Sequence, residues 1–285
     1  VRIGLHVRVA GGYAKAVEHA KSAGCSALQV FSSNPRSYRP SAIDPVALET
    51  FAALRRDADL DPCAIHTPYL INLASEDPKI YQGSLRLLRA DLEFAARGGM
   101  RFVNTHLGSY GTRNREEGFV AICRALEAAL DGIAPGVVLV LENSAGAGQL
   151  AGGTMDELGA FVKTIGHPQL GICLDTAHAW AAGYRIDSPA GVNEFLDRVE
   201  SAIGVDRVLM FHFNDTEVEL GASRDRHWHI GEGKIGFDGF RALLARPELG
   251  DRTAILETPG TDADDRRNME TILAIARGAA RAAAR

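Results

Sequence analysis

Val137-Val138-Leu139-Val140-Leu141-Glu142 is an apolar, β-branched run that ends on a carboxylate, and Gly171-Ile172-Cys173-Leu174-Asp175 repeats the pattern after an amphipathic stretch at Met155–Thr164. Such runs, separated by helical periodicity, mark parallel strands joined by helical crossovers. Reading outward in both directions gives strands at Ile3–Val7, Ala27–Phe31, Cys63–His66, Phe102–His106, Val137–Glu142, Gly171–Asp175, Val208–Phe213 and Ala254–Glu257. Helical spacing of Ala, Leu, Ile and Phe follows each of them, at Gly12–Ala23, Pro45–Ala58, Ile80–Arg97, Glu116–Leu130, Met155–Thr164, Ala190–Ile203, Phe237–Ala245 and Ala263–Arg281. Eight strand–helix pairs make an α/β fold of the (β/α)8 TIM-barrel kind the economical reading. One domain is expected over residues 1–285, with a basic C-terminal helix and tail from about 263 to 285. The alternative, a doubly wound dinucleotide sheet, lacks its fingerprint. Gly146-Ala147-Gly148 with the next glycine at 152 is off the dinucleotide spacing by one residue, so this cluster reads as a flexible loop.

The 285 residues are 46% hydrophobic and 24% charged, enough for a large core and unlike disordered, collagen-like or coiled-coil chains. No apolar run approaches the roughly 18 residues that span a bilayer, and the chain opens on strand-like Val1-Arg2-Ile3-Gly4-Leu5, so neither membrane insertion nor secretion is expected. Cys25, Cys63, Cys123 and Cys173 are widely spaced in apolar contexts and read as reduced core thiols, which suits a cytoplasmic protein. The net charge of −5 offers no generic case for nucleic acid.

A barrel builds its active site at the C-terminal ends of its strands. Seven of the eight expected ends carry His6, His66, His106, Glu142, Asp175, His212 and Glu257. Any one of them is an ordinary capped or solvated residue. Together they would leave charges and lone pairs uncompensated unless metal ions sat among them. Asp175-Thr176-Ala177-His178 adds an imidazole three residues past a strand-end carboxylate. Asp225-Arg226-His227 adds two groups that face one way in an extended segment, although alone it reads as a solvated charged turn. The ligand set is therefore His66, His106, Glu142, Asp175, His178, His212, Asp225, His227 and Glu257, which suffices for three ions if one carboxylate bridges. Nitrogen and oxygen donors suit Zn²⁺, with Mn²⁺ an alternative at one or more positions. Glu142 and Glu257 are the candidate catalytic carboxylates. His6 is expected to be a pocket residue, His19 and His167 to face solvent, His229 to be exposed or to support the site, and Cys173 to pack inside the barrel.

The chain resembles the endonuclease IV family of zinc-dependent apurinic/apyrimidinic endonucleases. The likeness runs from Leu5-His6-Val7 through Pro68-Tyr69-Leu70-Ile71-Asn72-Leu73, His106-Leu107-Gly108-Ser109, Glu142-Asn143-Ser144-Ala145-Gly146, Asp175-Thr176-Ala177-His178-Ala179, His212-Phe213-Asn214-Asp215 and Gly231-Glu232-Gly233-Lys234 to Leu256-Glu257-Thr258. It implies that His66 and His106 hold one zinc, that Glu142 bridges to a second held by Asp175, His212 and Glu257, and that His178, Asp225 and His227 hold the third. It further implies cleavage of the phosphodiester 5′ to an abasic site, leaving a 3′-hydroxyl and a 5′-deoxyribose phosphate. The implied partner is double-stranded DNA with abasic sites or 3′-blocked ends, and the implied state is a monomer. Arg36 and Tyr69 match residues that the family inserts into the duplex, Arg36 otherwise reading as a solvated loop arginine. The chain departs from the pattern at Pro35, where the family commonly has Gln, and at Gly221-Ala222-Ser223-Arg224-Asp225, where the Ser-Arg pair is displaced by one residue. Three doubly charged ions would bring the net charge close to neutral. The alternative function is a sugar isomerase or epimerase of the xylose-isomerase-like barrels, which also present the quartet Glu142, Asp175, His212 and Glu257. Such an enzyme has no use for the other five ligands. A non-catalytic lesion-binding protein would be expected to have lost at least one of the nine.

Overall fold

The computed structural model describes residues 1–40 and 42–283, and its eight strands close into a parallel barrel in sequence order. The strands are β1 (Arg2–His6), β2 (Ala27–Phe31), β3 (Cys63–His66), β4 (Phe102–Thr105), β5 (Val138–Glu142), β6 (Leu170–Asp175), β7 (Val208–His212) and β8 (Thr253–Leu256). The helices are α1 (Tyr13–Ser22), α2 (Pro45–Asp57), α3 (Pro78–Arg97), α4 (Arg115–Leu130), α5 (Met155–Ile165), α6 (Thr176–Ala181), α7 (Pro189–Ala202), α8 (Gly236–Leu244) and α9 (Asp262–Ala283). The last two residues of the expected basic tail lie outside the described residues.

Helix starts follow local chemistry. Asp44, Asp77 and Ser188 accept backbone N–H bonds in the first turns of α2, α3 and α7, and each precedes a proline whose missing N–H costs nothing there. That pairing moves the start of α3 two residues ahead of the expected Ile80. The short α6 is a departure from the sequence reading. Asp175 ends β6 and its side chain accepts from the His178 N–H, so the chain leaves the strand directly into a capped turn of helix.

Two packing layers result. Side chains between strands and helices form the main core, with Phe51, Phe161, Phe211, Phe213 and Phe240 fully buried. A smaller cluster of Ala27, Ala64, Phe102, Val140, Cys173, Met210 and Ile255 fills the barrel itself, so Cys173 packs inside as expected. All four cysteines are free and buried. Register sets Phe31 opposite His66, Glu142 opposite Cys173 and Asp175 opposite His212, and His66, Glu142, Asp175 and His212 are each the last residue of their strand. His106 and Glu257 lie one residue beyond β4 and β8 rather than within them.

The loops above this floor are tied down. Gly108 adopts φ 94°, and a Cβ there would stand 2.4 Å from Asn72 Oδ1, so only glycine lets the β4–α4 loop meet the β3–α3 loop. Asn72 Oδ1 then accepts from the Ala74 and Ser109 N–H groups. The far end of the Gly146–Gly153 loop bonds to its neighbours. Gly152 and Gly153 donate to Glu157 Oε2, Tyr110 N–H donates to Gln149 O, and Ser109 bridges Leu150.

Candidate metal centre

All nine residues expected as ligands meet at the C-terminal end of the barrel. Glu142 lies at the centre, fully buried, and its two oxygens face different imidazoles. Oε2 is 3.5 Å from His66 Nε2 and 3.4 Å from His106 Nε2, while Oε1 is 3.1 Å from His212 Nδ1 and 3.3 Å from His178 Nδ1. A second group joins Asp175, His212 and Glu257 to Glu142, with His212 Nδ1 3.2 Å from Glu257 Oε2. A third brings His178 Nε2 to 3.2 Å and His227 Nε2 to 3.4 Å from Asp225 Oδ1. Asp175 Oδ2 is itself 3.4 Å from His227 Nε2, so this carboxylate touches two groups.

Those separations fit bound ions. Tetrahedral zinc with ligand bonds of about 2.0–2.1 Å has ligand–ligand edges of about 3.3 Å. The tautomers fit as well. His66 Nδ1 bonds Thr67 O at 2.7 Å, His178 Nδ1 bonds Asn143 O at 3.0 Å, and His227 Nδ1 bonds Glu257 O at 3.1 Å. A carbonyl only accepts, so each of these nitrogens carries a proton and each Nε2 is left facing the centre as the atom a metal would bind. The Nε2 atoms of His178 and His227 are buried and have no hydrogen-bond partner among the described residues. Buried lone pairs of this kind are costly unless something cationic binds them.

The electrostatics call for positive charge. Burial alone would raise the carboxyls of Glu142 and Glu257, but the imidazoles around them, His106 and His212 for Glu142 and His212, His6 and His66 for Glu257, hold both well below the ordinary carboxylate range. Burial would also lower His178 and His212. Neighbouring acids, Asp175, Asp225 and Glu142 for the former and Cys173, Glu257 and Glu142 for the latter, drive both well above the usual imidazole value. Asp225, whose side chain is 63% exposed, falls to about 2 beside His178 and His227. His106 goes the other way, pushed down mainly by burial.

A cavity of about 700 Å³ opens over the centre, lined by His6, Phe31, Tyr69, Leu150 and Thr258 among others. Tyr69 is 62% exposed and meets Phe31 and His66 edge-on, with ring centroids at 5.3 and 5.6 Å. Arg36 is exposed on the β2–α2 loop, outside the residues that line the cavity. Its loop is joined to that of Tyr69 by the Tyr38 hydroxyl, which donates to Leu70 O at 2.5 Å.

His6 is a pocket residue as expected, with Nδ1 2.8 Å from Glu257 Oε1. His19 is a correction. Its side chain is only 16% exposed and Nε2 lies 2.9 Å from Asp265 Oδ2, because α1 packs beside the start of α9. His167 is half-buried and accepts from the Gln169 N–H, and His229 lies 3.1 Å from the Asn268 amide nitrogen. The sequence reading missed three amides. Asn104 donates to Glu142 Oε2 at 2.5 Å, Asn214 donates to Asp175 Oδ2 at 2.7 Å, and Gln29 donates to Glu257 Oε1 at 2.8 Å. Their one sequence signal is a carboxamide in or directly after an apolar strand.

The family described as Xylose isomerase-like TIM barrel matches residues 17–279. A probable endonuclease 4 of Natranaerobius thermophilus is 40% identical over 267 residues, 93% of this chain and 94% of that protein. The chain belongs to the endonuclease IV family. The crystal structure of endonuclease IV from Thermus thermophilus superposes with a TM-score of 0.87 at 38% identity, over 98% of this chain and all of that one. A D-tagatose 3-epimerase-like protein superposes at 0.72 over 98% of this chain and 99% of its own, but at 20% identity that likeness shows the fold alone. Membership in the endonuclease IV family makes the chain an endonuclease of DNA repair with a metal-binding site.

Proposed function

We propose that this endonuclease IV homologue hydrolyses the phosphodiester 5′ to abasic sites in double-stranded DNA, leaving a 3′-hydroxyl and a 5′-deoxyribose phosphate, with three zinc ions. The observation that carries the reading is the placement of Glu142 between two groups of imidazoles with His178, Asp225 and His227 gathered beside them. Manganese is the alternative metal, and 3′-blocked ends are the second substrate class. When bound, the ions supply an activated water and offset charge on the phosphate and the departing oxygen.

The chain's own residues supply the frame. His66, His106 and Glu142 would hold one ion, Glu142, Asp175, His212 and Glu257 a second, and His178, Asp225 and His227 the third. Asn104 and Asn214 fix the orientation of the buried carboxylates. Phe31 gives the Tyr69 ring an aromatic support at the mouth, where it would take the place of a missing base. No helix of the described residues is long and apolar enough to cross a membrane. A monomer acting in the cytoplasm completes the proposal.

The sugar-isomerase alternative accounts for Glu142, Asp175, His212 and Glu257 but gives His178, Asp225 and His227 no task. Metal analysis with an incision assay tests the choice. About three zinc ions per chain and cleavage 5′ to an abasic site are expected. One ion per chain with turnover of ketose sugars would overturn the proposal.

A further inference from the structure

Three imidazoles of the centre have their tautomer set by a backbone carbonyl, which cannot turn round. His212 is different. Its Nε2 lies 3.1 Å from Oε1 of Gln29, a fully buried side chain on β2, and an amide offers an acceptor on one side and donors on the other. What fixes the amide is Glu257. The Gln29 nitrogen lies 2.8 Å from Glu257 Oε1, and an ionised carboxylate only accepts, so the NH2 must face it. His6 Nδ1 reaches the same oxygen at 2.8 Å and stands 3.0 Å from the Gln29 nitrogen, two donors converging on one acceptor. The Gln29 oxygen is thereby left for His212, and Nε2 of that ring must carry the proton. With an ion bound, Nδ1 is the nitrogen whose lone pair is free for it, and it faces Glu142 Oε1, 3.1 Å away, and Glu257 Oε2, 3.2 Å away.

We propose that Gln29 is a positioning residue for the ion held by Glu142, Asp175, His212 and Glu257, selecting Nδ1 of His212 as the ligand atom and aiming Glu257 with the same amide. The inference rests on the three-ion reading above. It reaches further in making two ligands of one ion depend on each other through a residue that binds no metal. Turning the amide over would set oxygen against oxygen at Glu257, so the arrangement has one stable sense. Partners of this kind typically contribute about 10–100-fold to metal affinity.

The test has two parts. In zinc-loaded wild-type protein, imidazole ¹⁵N NMR should show His212 protonated at Nε2; protonation at Nδ1 overturns the proposal without any variant. Chelator competition with zinc should then show Gln29→Met, close to isosteric and unable to bridge, losing about 10–100-fold in affinity at one position while the other two hold. Unchanged affinity at all three positions overturns it. Wild-type protein that takes up no zinc would instead bring down the three-ion reading, and this inference with it.

Discussion

Glu142 and Glu257 are ionised deep inside the protein because imidazoles surround them, and this is also why their replacement has a specific signature. Glu142→Gln or Glu257→Gln keeps the shape and removes the charge. Each variant is expected to fold, to bind abasic duplex, and to lose incision about a hundredfold or more, equivalent to about 3 kcal/mol of barrier. Near-normal incision under controlled zinc would remove these carboxylates from the chemistry. Asp91 makes the opposite case. It is buried on α3, accepts from the Ser32 hydroxyl through Oδ1, and has no partner for Oδ2 among the described residues. Burial, only partly offset by that hydroxyl, pushes its carboxyl up to about 7. Unfolded, the same group ionises near 3.9, so between about pH 4 and pH 7 the unfolded chain releases a proton that the native chain retains. Stability is therefore full below about pH 4 and falls as the pH rises towards 7, by about 4 kcal/mol at most. Asp91→Asn should abolish that loss and be the more stable protein at pH 8. Urea unfolding of both proteins at pH 4.5 and pH 8 checks it, and parallel behaviour would mean that Asp91 is ionised in the fold.

The β7–α8 loop carries Asp225 and His227 with little regular structure of its own, and one buried side chain gathers it. Asp215 accepts from the N–H groups of Thr216 and Ile235 on Oδ1 and of Gly231, Gly233 and Gly236 on Oδ2. Asparagine would turn two donor hydrogens towards those N–H groups. Asp215→Asn is expected to loosen the loop, so that trypsin cuts at Arg224 or Arg226 at least about tenfold faster and about one ion per chain is lost on dialysis. Asp225→Ala and His227→Ala should lose the same single ion while the loop stays resistant; an unchanged metal count in all three would return Asp225-Arg226-His227 to the status of a charged turn. The sequence shows such features unevenly. Strands with apolar runs and polar ends are legible because burial on both faces and a shared open end demand that pattern, and six of the nine ligands follow from it. The α6 turn is not, since its cap is Asp175, which reads equally well as the last residue of a strand. Gln29, Asn104 and Asn214 were missed for a different reason. A neutral amide inside or beside an apolar run has no spacing rule, and its partners lie tens to hundreds of residues away. Conversely, Asp225 and His227 could be seen but not weighed from spacing alone, because what brings them to the centre is a carboxylate ten residues upstream.

On the scale of the whole molecule, the barrel collects the ligands, the cavity and both exposed candidates for DNA contact on its C-terminal face. Four of the 36 acids are proposed ligands and bound ions would offset the formal charge of −5, while exposed Arg36, Arg39, Arg224 and Arg226 are carried on loops above the strand ends. An abasic nucleotide has no base to unstack, so turning it out of the helix costs less than turning out an intact one. An enzyme that opens the duplex gains selectivity from that difference, provided something fills the space left behind. Tyr69 is suited to do so, being a largely exposed ring braced edge-on by Phe31 at the rim of the cavity. Arg36 offers a planar cation that can stack or reach phosphate, and the Tyr38–Leu70 bond links its loop to that of Tyr69. Pro35 stiffens the loop where the family commonly offers an amide, which places more of the task on Tyr69. Stacking of one side chain on a base is worth about 1–3 kcal/mol. Tyr69→Ala combined with Arg36→Ala should therefore weaken binding and incision of a fully paired abasic duplex about tenfold or more, with zinc content unchanged. The same double variant should lose less on a duplex already opened by mismatches, where the opening has been supplied in advance. Equal incision of the paired duplex by variant and parent would sink the insertion role and leave the metal centre untouched, since neither side chain is a ligand.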